Sequence, residues 1–243
     1  SSTKLNYNGQ NPAPDYWKNF PSNNVNVWEQ DANADWAGWQ ESYDYWTASK
    51  RNRQINWDKL YYTNQQLNST GKDAVYWVEA KHNDHMVTNL GSTFDWDINR
   101  TTKFRAGLQL ASNKGMHYTT MEDMLGAQNF HNLNTYAIGE YASSDPRVQY
   151  DLNNPNGVVR EGDRMRYDYD LWNQSARIWA GITKDKGISH NFLTAKIGGT
   201  QMWRNGYMNN GMCAGYSYGK SGTGYFLDGG FKMGTTLNLS KGN

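Results

Sequence analysis

The sequence has almost no cysteine, no long apolar segment and almost no net charge. Cys213 is its single cysteine, which excludes a disulfide framework and any zinc site built from thiolates. No segment approaches the roughly 20 consecutive apolar residues of a membrane-spanning helix, so a helical span is excluded. The 24 basic residues balance 23 acidic ones. Without a basic field, no nucleic-acid partner is expected.

Aromatic residues, by contrast, are abundant in a chain of 243 residues that is otherwise very polar. The sequence contains 11 tryptophans and 17 tyrosines, and its mean hydropathy is −0.92. Such polarity is typical of disorder, yet this many rings must be buried somewhere. Two architectures reconcile these values: a polar-lined β-barrel with aromatic girdles, or a sugar-binding β-domain with exposed rings on which sugars stack.

Apolar residues alternate with polar ones in several segments. Over 103–110, for example, Phe104 and Leu108 lie on one face of an extended chain, and Arg105 and Gln109 lie on the other. A helix would scatter these residues around its axis, so the period of two predicts β-strands. The same alternation recurs over 74–98, 172–182, 193–203 and 231–239. The fold class is therefore predicted to be all-β.

The connections between these segments are of two sizes. Short polar turns are predicted at Asn99–Thr101, Lys184–Gly187 and Lys241–Asn243. Long loops are predicted over about 7–72, 114–165 and 205–222. Short turns at one end and long extracellular loops at the other are typical of an antiparallel up-and-down transmembrane β-barrel. A β-sandwich also alternates and is the alternative architecture.

Two short helices are predicted inside the long loops. Apolar residues recur at helical spacing over Ile55–Tyr61. Thr119 and Glu122 form a capping-box pattern, and Gly126 follows as a typical helix end. The sequence therefore predicts a second helix over Thr119–Leu125.

Longer motifs indicate a family. In chain order they are PAPDYWKNFP (12–21), INWDKLY (55–61), KGMHYTTMEDMLG (114–126), DLNNPN (151–156) and EGDRMRYDYD (161–170). Together they resemble segments of the TonB-dependent outer-membrane receptors of Bacteroidetes. The resemblance extends over nearly the whole chain, and several motifs in a fixed order are more specific than any one of them.

The resemblance implies a nutrient transporter of the cell outer membrane, in which a barrel of about 22 strands encloses an N-terminal plug. Residues 1–243 would form a portion of that barrel within a longer polypeptide, without the plug and the remaining strands. The implied partners are the TonB–ExbB–ExbD energising complex, reached through the plug, the lipid bilayer and, in some relatives, a surface lipoprotein lid. The resemblance also implies a non-enzymatic protein without a cofactor that imports a glycan, a peptide, a siderophore or a similar nutrient into the periplasm.

The candidate ligand-binding residues are aromatic. Trp36, Trp39, Tyr43 and Trp46 cluster in the first long loop, after Trp28. Rings on such a loop can stack on planar ligands or sugars while their N–H and O–H groups stay available. Packing of the loop upon itself is the alternative explanation. The cluster also supports a second hypothesis, a soluble or surface carbohydrate-binding β-domain, and a fragment of a glycoside hydrolase is a third.

Acidic and histidine side chains supply the other candidate sites. Asp151, Glu161 and Asp163 are candidate Ca²⁺ ligands because hard oxygen atoms are dense there, although such residues also form turns. His82 and His85 are three residues apart on a strand and point to opposite faces, so no shared metal is expected.

The charged strand residues are predicted to face a wet lumen. They are Asp95, Asp97, Lys103, Arg105, Arg177 and Lys196. The Asp95–Asp97 pair shares one face of a strand and would also suit acid–base chemistry. Four tryptophans near strand ends are predicted to lie at the lipid interface: Trp96, Trp172, Trp179 and Trp203.

Overall fold

The fold is taken from a computed structural model that describes residues 1–25 and 34–239. Trp28 and the predicted turn at Lys241–Asn243 lie outside the described residues. The strands in the described residues are β1 (Ser2–Tyr7), β2 (Tyr76–Asn99), β3 (Thr102–Asp123), β4 (Arg164–Lys186), β5 (Ser189–Gly206), β6 (Gly219–Lys220) and β7 (Gly224–Leu237). The α-helices there are α1 (Trp36–Ala48), α2 (Trp57–Asn68) and α3 (Thr135–Ile138). None of the described helices has the length and apolarity needed to cross a membrane.

The strands form one sheet in which β1, β2, β3, β4 and β5 are successive neighbours. On its other side β5 pairs with both β6 and β7. The pairings of β1 with β2, of β4 with β5, and of β5 with β6 and β7 are antiparallel, and the long β4–β5 pairing ends where Lys186 meets Ser189. Within the described residues the sheet is not closed. The predicted all-β antiparallel class is therefore confirmed.

The chain divides into two compact units. The loop unit comprises 1–81 and 119–166, and the strand unit comprises 82–118 and 167–243. All buried apolar side chains of the described residues belong to the loop unit. They include Trp77 and Phe130, whose ring centroids are 4.9 Å apart in an edge-on contact. The loop unit therefore has a hydrophobic core of its own.

The described part of the strand unit exposes its apolar residues on one face. Ile178 pairs with Ile197, and Ala195 pairs with Phe231, so these residues share a face across β4, β5 and β7. The exposed fractions of Ile178, Ile197 and Phe231 are 54%, 59% and 75%. Phe94 of β2 and Leu108 of β3 line the same shallow depression as the two isoleucines.

Several predicted boundaries are confirmed. The turn at Asn99–Thr101 joins β2 to β3, and alternation over 74–98 corresponds to the single strand β2. The predicted helix at Ile55–Tyr61 is α2, which starts at Trp57 because the Asn56 side chain accepts a hydrogen bond from the Lys59 N–H. The loops predicted over 7–72 and 205–222 agree with the structure within a few residues.

Two predictions at the start of the second loop are wrong. Thr119–Leu125 is not a helix, and the loop predicted over 114–165 begins only after β3 ends at Asp123. The backbone of Met121 explains why: its N–H donates to the Asp163 carbonyl at 3.0 Å, and its carbonyl accepts from the Gly162 N–H at 2.7 Å. Pairing with residues forty positions away thus outweighs a local capping signal. The turn predicted at Lys184–Gly187 is confined to residues 187–188, since β4 continues to Lys186 and β5 begins at Ser189.

Candidate functional site

Three of the predicted aromatic residues form a ridge along α1. Trp36, Trp39 and Tyr43 follow one another at helical spacings of three and four, so they lie on one face of the helix. The rings of Trp39 and Tyr43 stack at 5.2 Å, and those of Trp36 and Trp39 are 6.4 Å apart. None of the α1 residues is buried, and Trp36 is 64% exposed. The ridge is therefore open to a ligand.

Trp46 has a different role from the other three. Its ring lies 5.3 Å from that of Phe20, and its Nε1–H donates to the Asn19 carbonyl at 2.8 Å. Both contacts join α1 to the segment 17–23 of the loop unit. The explanation that the aromatic residues pack the loop applies to Trp46, whereas ligand stacking remains open for the ridge.

A polar cleft of about 480 Å³ lies beside α1 in the loop unit. Its size falls within the usual range for small-molecule sites. Side-chain amides are the most frequent groups in its lining: Gln10, Asn11, Asn19, Asn52, Gln54 and Asn56. The rings of Tyr45, Trp46 and Tyr76, the charged groups of Lys18, Glu41 and Lys59, the Ser42 hydroxyl and the apolar side chains of Pro12, Pro14 and Leu60 complete the lining. Amides offer donors and acceptors together, which suits a ligand with many hydroxyl groups.

The candidate calcium ligands are each engaged with nearby backbone. Asp151 accepts from the Asn153 N–H, Asp163 accepts from the Arg160 N–H, and Glu161 accepts from the Met124 N–H. In the part of the chain that the structure describes, no group of three or more metal-binding side chains is found. These contacts support the turn-forming explanation, and the calcium site stays a prediction.

On the face opposite the apolar one, the strand unit carries ion pairs. Arg105 lies 2.5 Å from Asp95, Lys103 lies 3.5 Å from Asp97, and Arg177 lies 3.4 Å from Asp228. Each predicted acid–base carboxylate of β2 thus has a basic partner on β3. Such pairs are typical of charged residues on a solvent-exposed surface.

A row of stacked side chains crosses the same polar face and was not predicted from the sequence. The ring of His117 on β3 stacks on that of Tyr169 on β4 at 5.1 Å. The guanidinium of Arg204 on β5 lies 4.6 Å from the centre of the Tyr169 ring. His85 on β2 approaches His117 edge-on, with ring centroids 6.4 Å apart. These residues are far apart in sequence, and the register between long strands would be needed to place them together.

Trp172 and Trp203 stack at 5.7 Å where β4 pairs with β5, on the apolar face. Beside them Tyr207 donates to Asp170, and this hydrogen bond raises the pKa of the Tyr207 hydroxyl. The role of both tryptophans at a lipid interface stays a prediction. Trp179 differs, because its indole lies against Gly107 on the polar face. Its prediction as an interface residue is wrong, since position 179 is one residue out of phase with the apolar residues of β4.

Comparison with known proteins adds no family to this description. The chain matches no protein-family model, and no curated protein is significantly similar to it in sequence. The functional proposals for this chain therefore depend on its fold and on the contacts described above.

Proposed function

We propose that the chain forms wall strands and outer loops of an outer-membrane β-barrel, as part of a TonB-dependent transporter that imports a nutrient into the periplasm. One observation carries the proposal. The described part of the strand unit buries no large apolar side chain, yet one face of its sheet exposes many of them. In water such a face would associate or aggregate, whereas against lipid tails it is favourable.

The lengths of the elements support the same proposal. β2, β3, β4 and β5 have 24, 22, 23 and 18 residues, and a tilted strand needs about 9–11 to cross a bilayer. The turns between β2 and β3 and between β4 and β5 are short, while the opposite ends lead into long, structured loops. This asymmetry is typical of outer-membrane barrels, and the motif resemblance agrees with it.

The polar face would line the lumen in this proposal, with its ion pairs in contact with water. Closure of the barrel requires further strands, because open edges in lipid leave backbone groups unsatisfied. On the basis of the motif resemblance, the proposed partners are the TonB–ExbB–ExbD complex, reached through a plug, the lipid bilayer and a surface lipoprotein lid.

The cleft beside α1 favours a second candidate function, a carbohydrate-binding β-domain. Its amides and rings are the groups that recognise sugars in water. The two candidates differ in what covers the apolar strand face: lipid in the transporter, and other protein surface in a domain that acts in water.

Leu108→Arg tests the transporter proposal, and Gln109→Arg is its matched control. The two positions are adjacent on β3 and point to opposite faces, so each variant adds the same charge to a different environment. Arginine on the lipid face costs about 2–4 kcal/mol near the bilayer midplane. We expect Leu108→Arg to reduce insertion into the outer membrane, measured by fractionation and heat-shifted gel mobility, and Gln109→Arg to insert normally.

Normal insertion of Leu108→Arg would contradict the barrel. Recovery of the unaltered chain as a water-soluble species that binds neutral oligosaccharides would support the second function instead.

A further inference from the structure

We propose that His85 and His117 form a binding site for a divalent transition-metal ion on the polar face of the strand unit. The site goes beyond nutrient transport and does not depend on it, because it rests on the geometry of two neighbouring strands. Imidazole nitrogen is a preferred ligand of Zn²⁺, Ni²⁺ and Cu²⁺.

Gly115 creates the space between the two imidazoles. A Cβ atom at this position would lie 3.2 Å from Nε2 of His117 and 3.6 Å from Nδ1 of His85. A nitrogen of each ring therefore borders the same small volume, which the missing side chain leaves open. With metal–nitrogen bonds of about 2.0–2.1 Å, two imidazoles on one ion have centroids roughly 4.5–5.5 Å apart as neighbouring ligands and roughly 6.5 Å apart on opposite sides of the ion. The observed separation of 6.4 Å corresponds to ligands on opposite sides, an arrangement that square-planar Ni²⁺ and Cu²⁺ sites allow.

The neighbours of His117 orient it as a ligand. Its Nδ1 lies 2.8 Å from Oδ1 of Asn83, an acceptor, so Nδ1 carries the proton and donates. The lone pair of the neutral ring is then on Nε2, the atom that borders the space at Gly115. Stacking against Tyr169 holds the plane of the ring. Such outer contacts are typical of histidines that bind metals.

Two histidines leave part of the coordination sphere to other donors. Among the described residues no third histidine, cysteine or carboxylate joins them. Water, or donor atoms of a solute that carries the metal, would complete the site. The arrangement therefore suits capture and exchange of an ion better than permanent structural binding, which usually uses four protein ligands.

Calorimetric titration of the purified full chain in detergent with Ni²⁺ tests the proposal. Gly115→Ala is the sharpest variant, because it fills the space and retains both histidines. We expect Gly115→Ala, His85→Ala and His117→Ala each to weaken Ni²⁺ binding by at least about tenfold, and Asn83→Leu to weaken it by about tenfold. His82→Ala, three positions from His85 and on the opposite face, should bind like the unaltered chain.

Protection from chemical modification provides a measurement that needs no variant. Ni²⁺ should shield His85 and His117 of the unaltered chain from diethyl pyrocarbonate, and should leave His82 reactive, as mapped by mass spectrometry. Absence of Ni²⁺ binding, equal affinity in His82→Ala and His117→Ala, or equal modification of all three histidines would overturn the proposal.

Discussion

Arg166 and Glu79 form an ion pair inside the loop unit, with Nη1 of the arginine 2.8 Å from Oε1 of the carboxylate. The Glu79 side chain is completely buried, and its other oxygen accepts from Nε1 of Trp77 at 3.3 Å. Arg166 adopts a positive φ of 66°, which is unfavourable for a residue with a side chain. Its N–H donates to the Asn132 side chain, a contact that helps to hold this conformation. The pair thus links the start of β4 to β2.

Arg166→Gln is expected to destabilise the loop unit by about 3–5 kcal/mol, because it leaves the buried charge of Glu79 without a counter-ion. Arg147→Gln is the control, since its pair with Asp145 lies at the surface and its loss should leave the exchange of the same amides almost unchanged. Hydrogen exchange of the Trp77 and Met121 amides measures both effects. Similar exchange rates in the two variants would contradict the prediction.

Asn64 connects α2 to two other parts of the loop unit. Its fully buried side chain donates to the carbonyls of Tyr76 and Met124 and accepts from the Val75 N–H. Asn64→Asp should destabilise the unit by several times the roughly 1–3 kcal/mol of one unsatisfied group, because the carboxylate cannot donate to these carbonyls. Gln66→Glu, at an exposed position on the opposite side of α2, is the control. Urea denaturation, followed by tryptophan fluorescence, measures the stability of both variants. Equal urea midpoints for the two variants would refute the prediction.

The strand pattern could be predicted from the sequence wherever one face is apolar. Alternation located β2, β3, β4, β5 and β7 because their side chains meet two different environments. It could not locate β1, whose residues (Ser2–Tyr7) are mostly polar and which is defined by pairing with β2, Ser2 opposite Lys81. The capping pattern at Thr119 failed for the same reason, since long-range pairing decides the conformation there.

Some of the candidate sites could likewise be predicted from the sequence, and others could not. The aromatic ridge on α1 could be found because its residues are close in the chain. Sequence reasoning separated His82 from His85 correctly, and the structure places them on opposite faces of β2. It could not find His117 as the neighbour of His85, since only the register of β2 against β3 brings them together. The amide cleft was missed because single asparagines and glutamines carry no distinctive spacing.

Asp145 should titrate far below an ordinary aspartate. Its hydrogen bonds from the side chain and backbone of Arg147 lower the pKa of the carboxyl group from 3.8 to about 2. Because the pKa is lowered on folding, the stability it contributes is present above pH 3.8 and is lost as the pH falls through about 2. Carboxyl NMR should give a midpoint near 2, and Arg147→Gln should return it towards 3.8. A midpoint near 3.8 in the unaltered chain would show that the pair does not form.

Trp36 and Trp46 allow a test of which aromatic residues are structural. Trp46→Ala removes the contact with Phe20 and the hydrogen bond to Asn19, so we expect a loss of about 1–3 kcal/mol from the stability of α1. Trp36→Ala removes a ring that is 64% exposed and should change stability by less than about 0.5 kcal/mol. If the ridge binds ligand, Trp36→Ala should instead weaken binding of oligosaccharides in a fluorescence titration. A stability loss in Trp36→Ala as large as that in Trp46→Ala would mean that the whole ridge packs the loop, and the case for α1 as a ligand surface would then fail.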